Sequence, residues 1–151
     1  MSSHEQRVLI ERLTRSDAEL LDAFRRLVPQ LTQNNPPPSG QDLDELIASQ
    51  SSVLFVARTE AAVIVGAANV TIYRVLTGLR AIIEDVIVDE SARGRGVGEA
   101  LVRRALEEAR SRGAPAVTLT SNPKRAAANR LYQRMGFQRR DTNAYIYKFS
   151  E

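Results

Sequence analysis

The residues from Arg93 to Glu99 read Arg-Gly-Arg-Gly-Val-Gly-Glu, and their spacing suits the binding of an anion. Gly94, Gly96 and Gly98 remove side chains at alternate positions, so the backbone can turn sharply and aim consecutive N–H groups into one concave space. An amphipathic stretch follows directly, with apolar Leu101, Val102, Ala105 and Ala109 on one face. A helix starting there adds the positive end of its dipole to the same space, and a phosphate group is the natural occupant. Arg93 and Arg95 add charge without filling the concavity. Two better-known phosphate loops do not fit: no lysine followed by Ser or Thr ends the run, and the third residue after Gly96 is Glu99 rather than glycine. A flexible Gly/Arg connector is the competing reading. It is disfavoured because the loop lies directly between a good strand and a good helix.

The chain has no cysteine, which removes disulfides, thiolate metal sites and a cysteine nucleophile together. Its one histidine is His4, in a polar N-terminal tail, so neither a histidine-based triad nor a multi-histidine metal site is expected. Carboxylates or an ordered water remain as proton acceptors. Glu84 and Asp85 stand next to the Val86-Ile87-Val88 strand, where alternation sends their side chains to opposite faces, so one of them should face a site on that strand. Glu84 could equally be a substrate-orienting or structural carboxylate. Asp89-Glu90 reads as loop charge.

The elements that must position these residues follow from periodicity and punctuation. A strand is expected over about 7–13, a helix capped by Ser16-Asp17 and running to about Pro29, an exposed proline loop over 34–40 and a short acidic helix over 41–49. Strands over 53–58, 63–75 and 81–88, with a turn at Thr77-Gly78, should form an antiparallel meander. The glycine loop then opens a helix over 97–112 that Gly113 ends, followed by a strand over 116–120. Asn122-Pro123 begins a helix to Met135, and strands over 137–139 and 144–149 close the chain. The order β-α-α-β-β-β-α-β-α-β-β is that of one mixed α/β domain, a size that 151 residues and 43% hydrophobic content support.

Net charge is +3, but 8 basic and 12 acidic residues fall in 1–89, against 13 basic and 6 acidic in 90–151. The C-terminal half therefore suits an anion and the N-terminal half a cation, although solvated surface charge would give the same imbalance. A nucleic-acid-binding domain is disfavoured, because the arginines are scattered beside Glu107 and Glu108 without stacking aromatics. No apolar run is long enough for a membrane span and the N-terminus lacks a signal-peptide layout, so a cytoplasmic protein with no membrane partner is expected.

Val86-Ile87-Val88, Arg93-Gly94-Arg95-Gly96-Val97-Gly98, Asn122, and the run from Asn129 through Leu131-Tyr132-Gln133-Arg134-Met135-Gly136-Phe137 together resemble the GNAT superfamily of acyl-CoA-dependent N-acetyltransferases. The glycine block matches that family's Arg/Gln-x-x-Gly-x-Gly/Ala signature, and the second block its Leu-Tyr-x-x-Met/Leu-Gly-Phe ending. The resemblance covers nearly the whole chain. It implies an α/β (α+β type) fold with a mixed, mainly antiparallel sheet of six to seven strands flanked by about four helices. It also implies acetyl-CoA as cosubstrate, with no metal.

By that resemblance, N–H groups from Arg95 to Glu99 would hold the CoA pyrophosphate, and Val86 and Val88 would pair with the pantetheine arm. Asn129 would contact the cofactor, and Asn122 would do so or serve as a helix cap. Tyr132 would donate a proton to the departing sulfur; alone, it would read as a core aromatic. Glu84 is the first choice of general base and Asp85 the second, both also near the acceptor. Without cysteine, transfer is expected to be direct, in a ternary complex. The acceptor is expected to be a primary amine on a small molecule or peptide. It is cationic if the carboxylates of 41–49 line the entrance. A non-catalytic acyl-CoA sensor is the alternative, and a homodimer is left open.

Overall fold

The computed structural model describes residues 7–150, so His4 lies outside the described residues. The chain forms two compact units, one through Thr120 and one from Ser121 onward.

In the first unit, β1 (Val8–Arg12), β2 (Ser52–Thr59), β3 (Ile64–Val75) and β4 (Gly78–Val88) form a four-stranded antiparallel sheet in sequence order. Two helices, α1 (Ala18–Leu31) and α2 (Gly40–Ala48), separate β1 from β2, and α3 (Val97–Ser111) follows β4. Asp17 rather than Ser16 caps α1, its carboxylate accepting from the Leu20 amide at 2.8 Å. The helix continues through Pro29, past the expected stop, because the prolyl ring's fixed φ is itself helical and the Thr32 N–H bonds the Val28 carbonyl at 3.0 Å. A capping box starts α2: the Ser39 side chain accepts from the Asp42 amide, and Asp42 accepts from the Ser39 amide.

Alternation along the strands sorts the core into two faces. Leu54 and Val56 of β2, Ala67 of β3 and Ile87 of β4 pack with Leu20, Phe24, Leu27 and Leu43 of α1 and α2. The opposite face meets α3. A Cβ on Gly66 would stand 2.9 Å from the Ile87 carbonyl oxygen, 3.0 Å from Leu101 and 3.3 Å from Val97, so only glycine lets α3 approach this closely. An isolated glycine inside a strand pattern is the local signal of such an approach.

Among the described residues the sheet has four strands rather than the expected six to seven. Residues 116–120 make one parallel bridge, Thr118 to Ile82, while 137–139 and 144–149 enter no strand. Strand-like composition is local, whereas a strand exists only through a partner elsewhere in the chain. The second unit's helix, α4, spans Ala126–Arg134, and Asn122 caps a preceding turn rather than the helix. Among the described residues, no helix is long and apolar enough to cross a membrane.

Candidate functional site

The register of β3 with β4 slips once. Asn69 pairs with Asp85 and Val70 with Ile83, so Glu84 is the extra residue of a β-bulge and has no cross-strand partner. The bulge changes which way everything after it points. Before it, the Ile83 amide donates to the Thr118 carbonyl and the Ala81 carbonyl accepts from the Thr118 amide, each at 3.0 Å, so odd-numbered residues point their backbone groups away from β3. After it, the Asp89 amide donates to the Val65 carbonyl at 2.7 Å, so odd-numbered residues point toward β3, and Val86 and Val88 point outward. Among the described residues, the outer edge of β4 is bridged at Ile82 and beyond it takes only the Arg93 Nε bond to the Val88 carbonyl at 3.2 Å.

The same extra residue turns Asp85 onto the face of Ile87 and the α1–α2 core. Both Glu84 and Asp85 are exposed, but only Asp85 has a cross-strand neighbour, Asn69. Although much of the Asp85 surface is open, packing on the rest of it partly desolvates the carboxyl and raises it above its ordinary value. The Asn69 Oδ1 is buried with no hydrogen-bond partner, and Thr71 and Tyr73 continue its face of β3 as half-buried polar residues.

From the end of β4 the chain enters a one-turn 3₁₀ segment, Glu90–Ala92, anchored by Asp89. Asp89 is not loop charge. It is 7% exposed, accepts from the Ser91 amide and hydroxyl, and is paired with Arg26 of α1, which also donates to the Ile64 carbonyl. Burial alone would raise its carboxyl, but the Ser91 bonds and the Arg26 charge outweigh that and hold it below the ordinary value. Only tertiary contact with α1 reveals this role.

Gly94 (φ +75°) and Gly96 (φ +83°) both adopt the left-handed conformation. Gly96 occupies the N-cap position of α3 and supplies no side-chain hydrogen bond; the first helical bond runs from the Ala100 amide to the Gly96 carbonyl. The amides of Val97, Gly98 and Glu99 are thus the orphan donors of the first turn, and among the described residues no N-cap side chain bonds them. Arg93, Gly94, Arg95 and Gly96 are all exposed around them. The carboxylate of Glu99 is held by Arg103 at 3.1 Å, which offsets its charge beside this positive helix end.

In the second unit, Tyr132 is 7% exposed and packs edge-on against Phe137, with ring centroids 5.7 Å apart. Burial pushes its phenol above the ordinary value, with Arg125 acting in the opposite direction. The Asn129 amide nitrogen donates to the Asn122 and Arg125 carbonyls, each at 2.9 Å, and the Asn122 side chain accepts from the Lys124 amide. Both asparagines are engaged in holding the start of α4.

A glycine-opened helix beside a bulged strand is an arrangement whose backbone donors suit an anionic, extended ligand. The match to the acetyltransferase (GNAT) family model runs over residues 19–137, across both units, and the chain belongs to this family of acetyl-CoA-using acyltransferases. It is 32% identical over 140 residues to glucosamine 6-phosphate N-acetyltransferase 1 of Oryza sativa subsp. japonica, covering 85% of this chain and 83% of that one. Its fold matches an aminoglycoside acetyltransferase from an uncultured soil metagenomic sample with a TM-score of 0.81 and 21% identity, covering 95% and 97% of the two chains. It likewise matches aminoglycoside N-acetyltransferase AAC(6′)-Iy, solved in complex with CoA, with a TM-score of 0.78 and 20% identity, covering 95% of each.

Proposed function

We propose that this enzyme transfers an acetyl group from acetyl-CoA directly to a primary amine of a polar small molecule. The observation that carries this reading is the uncapped first turn of α3 behind left-handed Gly96, next to the open edge of β4 at Val86 and Val88. Three orphan amides and a helix dipole suit a pyrophosphate, and outward backbone groups suit an amide-bearing arm added like a strand. Acetyl-CoA supplies an activated thioester.

Asp85 is the stronger candidate for the base, with Glu84 second, because the bulge turns Asp85 toward the α1–α2 face beside Asn69. Its raised carboxyl is a better proton acceptor from an ammonium group than an ordinary carboxylate. Asp85 takes a proton from the amine nitrogen as that nitrogen bonds to the acyl carbon. Tyr132 holds a proton for the sulfur when the carbon–sulfur bond breaks. A phenol shifted above its usual value stays protonated throughout the neutral range.

An amine on the α1–α2 face would meet Asn69, Thr71 and Tyr73, which suits an acceptor bearing hydroxyls, such as the amino sugars and aminoglycosides in the relatives' names. The carboxylates of α2 are less suited to gather cations, since Asp42 serves the capping box, Asp44 accepts from the Ser16 hydroxyl and Glu45 accepts from Gln41. The test is acetyl-CoA-dependent thiol release across amine classes, together with Tyr132→Phe. That variant should keep cofactor affinity and lose about 10²- to 10⁴-fold in turnover. Full activity in Tyr132→Phe would remove the acid, and no turnover with any amine would remove the catalytic reading.

A further inference from the structure

Asn69 brings a buried carbonyl oxygen to the middle of the sheet, and among the described residues nothing donates to it. A buried acceptor without a donor is costly, and few groups in a folded protein are left in that state. Its two cross-strand neighbours differ. Leu54 of β2 belongs to the α1–α2 core and has no side-chain donor, whereas Asp85 of β4 stands opposite on the other side. Side chains in such a pair leave the sheet on the same face, with Cβ atoms about 4.5–5.5 Å apart. An ionised Asp85 carboxylate only accepts, so it repels the Asn69 carbonyl. A protonated Asp85 carries one O–H, which is the donor that Asn69 Oδ1 lacks.

We infer that Asn69 is a positioning residue for the base: its Oδ1 accepts the O–H of protonated Asp85 and stabilises the state that Asp85 reaches on taking the amine's proton. The inference rests on the reading of Asp85 as that base. In the transfer, the amine nitrogen bonds to the acyl carbon, one N–H proton passes to the Asp85 carboxylate, the carbon–sulfur bond breaks and the sulfur takes a proton. The new carboxylic O–H is then held by Asn69. Strand register arranges the pair, because the bulge at Glu84 is what sets Asp85 opposite Asn69. The other charged and titratable groups of the first unit on this face are placed elsewhere or engaged. Tyr73 and Arg80 pair with each other further along the ladder, and Arg80 donates to the Thr77 hydroxyl at 2.7 Å. Glu84 has no cross-strand partner. On α1, which packs against β3 and β4, Asp17 is the N-cap, Glu19 is paired with Arg58, Asp22 with Arg25 and Arg26 with Asp89. None of these charges acts on the Asp85 carboxyl, whose raised value comes from desolvation.

Carbon-13 NMR of the full chain over a pH titration tests this without turnover. In wild type the Asn69 side-chain carbonyl resonance should move with the same midpoint as the Asp85 carboxyl, and it should stop moving in Asp85→Asn. An Asn69 carbonyl indifferent to the Asp85 titration would overturn the inference, and that measurement needs no substitution at position 69. Asn69→Leu then keeps the volume and the desolvation while removing the acceptor. Burial alone would leave the Asp85 midpoint in place or raise it, as would loss of an Asn69 N–H that held the carboxylate. The inference requires the midpoint to fall, by about one pH unit for a hydrogen bond of ordinary strength. A midpoint that stays or rises sinks it. With an amine that wild type acetylates, the acid limb of kcat/KM should shift down by the same amount in Asn69→Leu. A midpoint that falls while the acid limb stays would keep the Asn69–Asp85 contact and remove Asp85 as the base, so the two readings fail separately.

Discussion

At its C-terminal end α3 is tied down by side chains, whereas at its N-terminal end it is left bare. Glu108, 8% exposed, receives Arg12 of β1 at 3.2 Å, Arg104 at 3.5 Å and Arg112 at 2.9 Å. Arg112 also donates to the Gln50 carbonyl at 2.9 Å, and the Arg104 guanidinium lies 4.7 Å over the Phe55 ring. At the other end, Gly96 gives α3 no side-chain bond at all. One helix thus uses its polar side chains for docking at one end and leaves its backbone donors without a side-chain cap at the other. Stability and ligand capacity are separated along about four turns of one element.

The contrast can be broken at either end. The largest effect is expected at the open end's neighbour: Asp85→Asn should lower kcat/KM by about 10²- to 10⁴-fold if Asp85 is the base. Because burial raises the Asp85 carboxyl, its charge disfavours the fold above that raised value, and the penalty disappears below the ordinary carboxylate range. The Asn variant should therefore melt higher than wild type at pH 7, with the difference fading on acidification, as differential scanning calorimetry would record. Wild-type kcat/KM should fall with acid at a higher pH than an ordinary carboxylate dictates. Full activity in the variant would return the assignment to Glu84 or water.

Next in size, Glu108→Ala should cost about 2 kcal/mol in urea unfolding, less than a fully buried pair because its arginines are partly solvated. Acetyl-CoA affinity of the folded fraction should not change. Gly96→Asp should weaken acetyl-CoA binding by about tenfold or more in calorimetric titration, through a carboxylate placed at the anion seat; Asp is among the few side chains that tolerate left-handed backbone. An unchanged affinity there would mean that the bare helix end is not the seat. The smallest effect concerns Asp89, which anchors the turn leading into the bare end. Asp89→Asn should cost about 1 kcal/mol at pH 7. Because the Asp89 carboxyl is held below its ordinary value, its contribution is present above that value and lost as pH falls through the lowered one. Acid titration of the two proteins should converge at low pH.

Much of the first unit was legible as sequence. The apolar runs of β2 and β3, the amphipathic face of α3 and the stop at Gly113 are local patterns, and the structure places them within a few residues of expectation. The run through Pro29 was not legible, because proline near a helix end forfeits one bond and tertiary packing decides whether the helix stops there. Asp89, beside Glu90 in a polar loop, could not be told from solvated charge without Arg26, sixty-three positions away in sequence. Gly66 and Asn69 carried weaker signals inside an otherwise apolar strand. The strands expected near the C-terminus had the right composition, but no pairing accompanies them within the described residues.

The sequence by itself determined the chemical repertoire and where backbone freedom lies. With no cysteine and a single histidine, the sequence leaves carboxylates, phenols and water as the expected proton carriers, and Gly94 and Gly96 mark where the chain can enter left-handed space. These are properties of single residues and nearest neighbours. Only the tertiary structure decided that Glu84 is the extra residue of a bulge, that Asp85 turns beside Asn69, and that Val86 and Val88 face outward. Register between strands depends on pairing across the sheet, and desolvation depends on what packs around a group, so neither is encoded at any one position.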